Sequence, residues 1–104
     1  MSVIVDVIQD ESNRLSELIS FFDRKIADLP KGSISRKPRR GHLYCYLAYW
    51  SGGGAKFKYI GRDGSDKVEE VAQMIQKRRK YESKRKNSKK NLAEVQKLLR
   101  AAGR

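Results

Sequence analysis

Between Ile8 and Leu29 the apolar residues Ile8, Leu15, Leu18, Ile19, Phe22, Ile26 and Leu29 recur mostly at intervals of three, four and seven. That spacing lines them up along one stripe and predicts an amphipathic helix within residues 1–30, ended by Pro30 and Gly32. The β-branched residues ahead of it, Val3, Ile4, Val5, Val7 and Ile8, suit either the start of the helix or a short strand. Helix is the favoured reading. The stripe is expected to pack into the core, and in a short chain it also offers a route to a homodimer.

From Gly32 to Gly61 the period changes to two, with turn residues between three short runs, which predicts a three-stranded antiparallel meander over 31–62. Ser33 to Arg36 is the first strand, Lys37 to Gly41 a basic turn containing Pro38, and His42 to Trp50 the second strand. Ser51 to Gly54 supplies the hairpin reversal, and Ala55 to Ile60 is the third strand. Alternation sends Leu43, Cys45, Leu47 and Tyr49 to one face and His42, Tyr44, Tyr46, Ala48 and Trp50 to the other. Lys56 and Lys58 are expected to be wet, which assigns Phe57 and Tyr59 to the core and leaves Tyr44, Tyr46, Lys56 and Lys58 on an open face. Ile60 breaks this pattern.

Arg62 to Asp66 reads as a turn into a second helix over 65–102, capped by Ser65 or Asp66 and carrying Glu69 and Glu70 in its first turn. Val68, Val71, Ala72 and Ile75 form a stripe suited to covering the sheet, and Leu92, Val95, Leu98 and Leu99 supply apolar residues at the far end. The middle has only Tyr81 as a large apolar side chain. If the segment is two helices, Asn87 and Ser88 mark the break. The expected fold class is α+β, as one domain of 1–104.

Charge adds a functional direction. The formal net charge is +12, and it is uneven: residues 1–30 hold three basic and six acidic side chains, residues 31–104 twenty-one and six. Within Lys77 to Lys90, the nine residues Lys77, Arg78, Arg79, Lys80, Lys84, Arg85, Lys86, Lys89 and Lys90 stand against the single acid Glu82. Such a concentration calls for a polyanion, and without Gly or Pro it reads as a helix and not a loose tail. The single Cys45 excludes an internal disulfide, and one Cys with one His does not make an ordinary zinc site, so neither metal nor cofactor is expected. No apolar run approaches the ~20 residues of a bilayer span, and Met1 to Ile8 holds Asp6 and no basic residue, unlike a signal peptide. A cytoplasmic protein without a membrane partner is the expectation.

Gly32-Ser33-Ile34, Leu43 to Tyr49, the Gly52-Gly53-Gly54 turn and Lys56 to Gly61 together resemble the arm-site DNA-binding domain of phage-type tyrosine recombinases. Leu29 to Ile34 is also similar to the phrase L-P-K-G-S-I that precedes a Tyr-rich strand in small uncharacterised prokaryotic proteins. The first resemblance spans Gly32 to Ile75 and implies a three-stranded sheet, backed by a helix and laid in the major groove of DNA. By position it implies Arg36, Lys37, Arg39, Arg40, Tyr44, Tyr46, Lys56 and Lys58 as contacts. The acidic first helix and the long basic helix lie outside its pattern.

The leading expectation is therefore nucleic-acid binding, DNA before RNA, with phosphates contacted by the basic helix and by Lys31 to Arg40. The competing expectation is a helical interaction or dimerisation module, in which the acids of the first helix shield part of the basic one. An enzyme is not expected, nor a small-molecule substrate. His42 and Cys45 fall on opposite faces of a strand, and Gly52-Gly53-Gly54 lacks the Lys-Ser/Thr of a phosphate loop.

Overall fold

The structure, a computed structural model, describes residues 2–103, so the outermost positions of the expected 1–104 domain lie outside the described residues. Its elements run α1 (Val3–Ala27), β1 (Ser33–Arg39), β2 (His42–Ser51), β3 (Gly54–Arg62) and α2 (Asp66–Ala102), the α+β arrangement expected. The chain divides into two compact units. One holds α1 and the part of α2 from Lys80 onward, and the other is Leu29–Arg79.

In the helical unit α1 already starts at Val3, so the β-branched opening joins the helix. Asp6 in its first turn and Arg24 and Lys25 in its last complement the helix dipole. Val5, Ile8, Ser12, Leu15, Ile19, Phe22 and Ile26 are buried or half-buried, at strictly alternating intervals of three and four, and Glu11 and Leu18 beside this stripe are half-buried as well. The facing stripe on α2, Tyr81, Arg85, Ser88, Leu92, Val95 and Leu99, has the same spacing. This 3.5-residue repeat is that of a coiled coil. The C-terminal end of α1 meets the beginning of this stretch of α2: the Phe22 and Tyr81 rings lie 6.0 Å apart, and Arg85 donates to Asp23. The two helices therefore run antiparallel, with Leu15 2% exposed. Helix α2 continues through Asn87 and Ser88 without a break, and Ser88 is buried.

In the sheet unit the strands lie in the order β1-β2-β3, all antiparallel. Both hairpins have two-residue turns whose residues sit at positive φ, Arg40 and Gly41 in the first, Gly52 and Gly53 in the second. That is the type I′ geometry, whose twist matches that of the strands. The expected turn of Lys37 to Gly41 shrinks to Arg40-Gly41, and Pro38 belongs to β1. An edge strand tolerates proline because a missing N–H on its outer side breaks no ladder bond.

Pairing across β2 and β3 corrects the face assignment. Tyr46 lies opposite Tyr59, Leu47 opposite Lys58, Ala48 opposite Phe57 and Tyr49 opposite Lys56, while Cys45 lies opposite Gly61. Ile60 is the extra residue of a β-bulge. Opposed residues share a face, so Phe57 and Tyr59 join Tyr44 and Tyr46, and Lys56 and Lys58 join Leu47 and Tyr49. The first turns of α2 cover the Cys45 side. Val68, Val71 and Ile75 are buried, Cys45 is 0% exposed, and the tight spot beside Gly61 is formed by Ser65 and Val68. Ser65 caps the helix, its Oγ accepting the Val68 N–H at 3.4 Å.

Candidate functional site

The face of the sheet turned away from α2 gathers most of the aromatic side chains of the unit. Alternation along β2 and β3 places Tyr44, Tyr46, Trp50, Phe57 and Tyr59 there. A core face would bury them, yet Trp50 is 65%, Tyr59 55% and Phe57 51% exposed. Tyr59 packs against both β2 tyrosines, 5.4 Å from Tyr46 edge to face and 6.4 Å from Tyr44.

From the edge strand β1, Lys37 lays its Nζ over this cluster, 5.2 Å from the Tyr46 centroid and 3.9 Å from the Phe57 centroid. Such cation–π contacts hold the ammonium in place without neutralising it. Arg39 and Arg40 line one open groove of about 430 Å³ with Tyr44, Tyr46 and Tyr59. Arg62, opposite Tyr44, bonds the Nδ1 of His42 and adds a further guanidinium to the same face. Flat π surfaces beside unneutralised cations can stack on planar bases and attract phosphates.

The expected contacts separate by this geometry. Lys37, Arg39, Tyr44 and Tyr46 share the open face, and Arg40 stands at the tip of its first hairpin. Lys56 and Lys58 do not share that face. They lie on the α2 side and stay wet there, so wetness did not distinguish the faces. Arg36 is also on the α2 side, where its Nε donates to Asp63 Oδ1 at 3.1 Å. This contact holds the Asp63 carboxyl below the ordinary carboxylate range, with help from the Cys45 thiol, 3.5 Å from the same oxygen. Burial, then the Asp63 carboxylate, pushes the Cys45 thiol up. Phe57, Tyr59, Trp50 and Arg62 were not among the expected contacts. Alternation along β2 places Trp50 and counting pairs back from the Gly52-Gly53 turn places Phe57 and Tyr59, whereas Arg62 reaches this face only through the bulge at Ile60, since the unbroken count sets it against Leu43.

Along α2, Lys77 and Arg79 are exposed in the sheet unit, and Lys80, Lys84, Lys86, Lys89 and Lys90 are exposed in the helical unit. Two arginines of the run are structural. Arg78 donates to the Leu29 carbonyl at 2.6 Å, and Arg85 pairs with Asp23. Among the described residues no cluster of three or more His, Cys, Asp or Glu is placed to hold a metal ion, and no helix is long and apolar enough to cross a membrane.

A family model described as Domain of unknown function (DUF6788) matches residues 2–70, which takes in α1, the whole sheet and the first turn of α2. No curated protein and no solved structure matches the chain.

Proposed function

We propose that this chain, which belongs to the DUF6788 family, is a nucleic-acid-binding protein, DNA before RNA, that engages its target through the open face of the sheet. The observation that carries this reading is the exposed ring cluster of Tyr44, Tyr46, Phe57 and Tyr59 with the Lys37 ammonium held over it and Arg39 and Arg40 beside it. A monomer gains nothing by leaving such rings in water, and a base stack returns the lost contact. The wet lysines of α2 add affinity for phosphate without reading sequence. In this reading the protein binds and performs no reaction of its own; Cys45, the obvious nucleophile, is buried and held protonated.

Fluorescence anisotropy with labelled single-stranded DNA, duplex DNA and RNA, repeated across a salt series, tests the proposal. Neutralising about six phosphates on duplex DNA gives a slope of log affinity against log salt near −5. A slope near zero, or no binding at about 50 mM salt, overturns it.

The second reading is a helical interaction module that binds no nucleic acid. The heptad pairing of α1 with α2 and the Asp23–Arg85 ion pair favour it. The same titration separates the two readings.

A further inference from the structure

Helix α1 carries a second stripe, beside the one that packs on α2. Ile4, Val7, Glu11, Arg14, Leu18 and Phe21 follow one another at intervals of three and four, so they form another continuous seam along the helix. Ile4 is 71%, Val7 60% and Phe21 38% exposed. Glu11 and Leu18 are half-buried and Phe21 also meets the Tyr81 ring at 6.3 Å, so the seam flanks the α2 contact and keeps an apolar pair at each end. Apolar residues aligned on one seam mark a contact surface more than scattered ones do.

The order of residues along the seam identifies the occupant. Read from either end it runs apolar, apolar, charged, charged, apolar, apolar, and the two central charges are opposite. Set against a second copy running antiparallel, Ile4 meets Phe21 of the partner subunit, Val7 meets Leu18 of the partner subunit, and Glu11 meets Arg14 of the partner subunit. Every contact is then repeated by the two-fold axis, as an isologous interface requires. Within one chain Glu11 and Arg14 already bond each other, at 2.5 and 2.9 Å. Across the axis the two pairs become a closed ring of four alternating charges between two apolar ends. A parallel arrangement would instead set Glu11 on Glu11 and Arg14 on Arg14.

We infer that α1 pairs with α1 of a second copy through this seam, antiparallel and two-fold symmetric. The interface is independent of the nucleic-acid reading, since none of its six residues lies in the sheet unit or on α2.

Light scattering of the full-length chain across a concentration series shows a dimer that dissociates on dilution. Glu11→Arg and Arg14→Glu each place like charges across the axis and raise the dimer dissociation constant about tenfold or more. Mixed in equal amounts, these two variants form a heterodimer, because every charged contact is then between opposite signs. An unpaired surface ion pair does not produce that rescue. Because a failed fold would mimic a failed interface, a second measurement leaves the charges intact. Val7→Cys combined with Leu18→Cys cross-links under mild oxidation into a covalent dimer, whereas either substitution alone does not. Within one chain those positions are about 16 Å apart along the helix, beyond a disulfide's reach. A wild-type chain that is monomeric at about 100 µM, a variant mixture without heterodimer, or cross-links in either variant with one introduced cysteine overturns the inference.

Discussion

The Lys37 ammonium stands 3.9 Å from the centroid of the Phe57 ring, having reached from β1 over β2 to β3. Because Phe57 is half-exposed, removing its ring costs little packing, but it removes one platform for a base. Phe57→Ala is expected to weaken nucleic-acid binding by about 1–3 kcal/mol while leaving the melting temperature nearly unchanged. Lys56→Ala, one residue away on the opposite face, is expected to have the smaller effect on binding. Anisotropy titrations of the two variants side by side check this, and equal losses would count against the open face.

Gly32 enters β1 at a φ of +120°, and a Cβ there would stand 2.1 Å from the Ala48 carbonyl oxygen. That atom belongs to the backbone of the central strand and has no room to retreat. Gly32→Ala is expected to destabilise the protein by about 2–3 kcal/mol or more. Gly54→Ala, where a Cβ meets open space, should cost under about 1 kcal/mol. Urea unfolding followed by circular dichroism measures both.

The pairing of α1 with α2 rests on few side chains, and Leu15 is the most deeply buried of them. Leu15→Ala is expected to cost about 2–5 kcal/mol, the range for a cavity that cannot collapse. Leu98→Ala, at a position 57% exposed, should stay within about 0.5 kcal/mol. Similar losses at both positions would mean that the heptad stripe is not the core of this unit.

Burial and the neighbouring Asp63 carboxylate keep the Cys45 thiol protonated, raising it above its ordinary value of 9.0. The stability this contributes is complete below that value and is lost as pH rises through the higher folded value. Wild type should therefore lose stability above about pH 9 more steeply than Cys45→Ala. In the folded protein the thiol should react with a thiol reagent only as fast as the sheet opens, which a time course of labelling reads directly.

Asp63 titrates in the opposite sense. Arg36, then the Cys45 thiol, hold its carboxyl below the ordinary value of 3.8. Its contribution is present above that value and disappears as pH falls through the lower folded one. The acid limb of the melting temperature below about pH 4 should be shallower in Asp63→Asn than in wild type. Parallel limbs would mean that the Arg36 contact does not survive in solution.

Much of the site was within reach of the sequence, and the part that was missed has a specific cause. Tyr44 and Tyr46 follow from alternation along β2, whereas Lys37 and Arg39, expected in a turn, join the face because β1 runs on through Pro38 to Arg39. Phe57 and Tyr59 follow equally from counting pairs out of the Gly52-Gly53 turn, which sets Ala48 against Phe57 and Tyr46 against Tyr59. The expectation that wet lysines mark the uncovered face overrode that count. A long amphipathic side chain keeps its ammonium in water on either face, so Lys56 and Lys58 carried no information about which side α2 covers. Arg36 and Arg85 were missed as structural residues because their partners, Asp63 and Asp23, are distant in sequence.

By itself the sequence determined what is local: the amphipathic first helix and the long basic second one, the three strands with their glycine turns, the concentration of charge and the α+β class. These follow from residue spacing and turn chemistry, which act over a few residues. The tertiary structure set α2 on the Cys45 side, the side that the open Tyr44 and Tyr46 left for it, and alone decided which arginines are tied to carboxylates distant in sequence. The two faces of a strand are equivalent in its own pattern, and only a contact from a distant element, Val68 beside Gly61 and Cys45 beneath it, makes one of them the core.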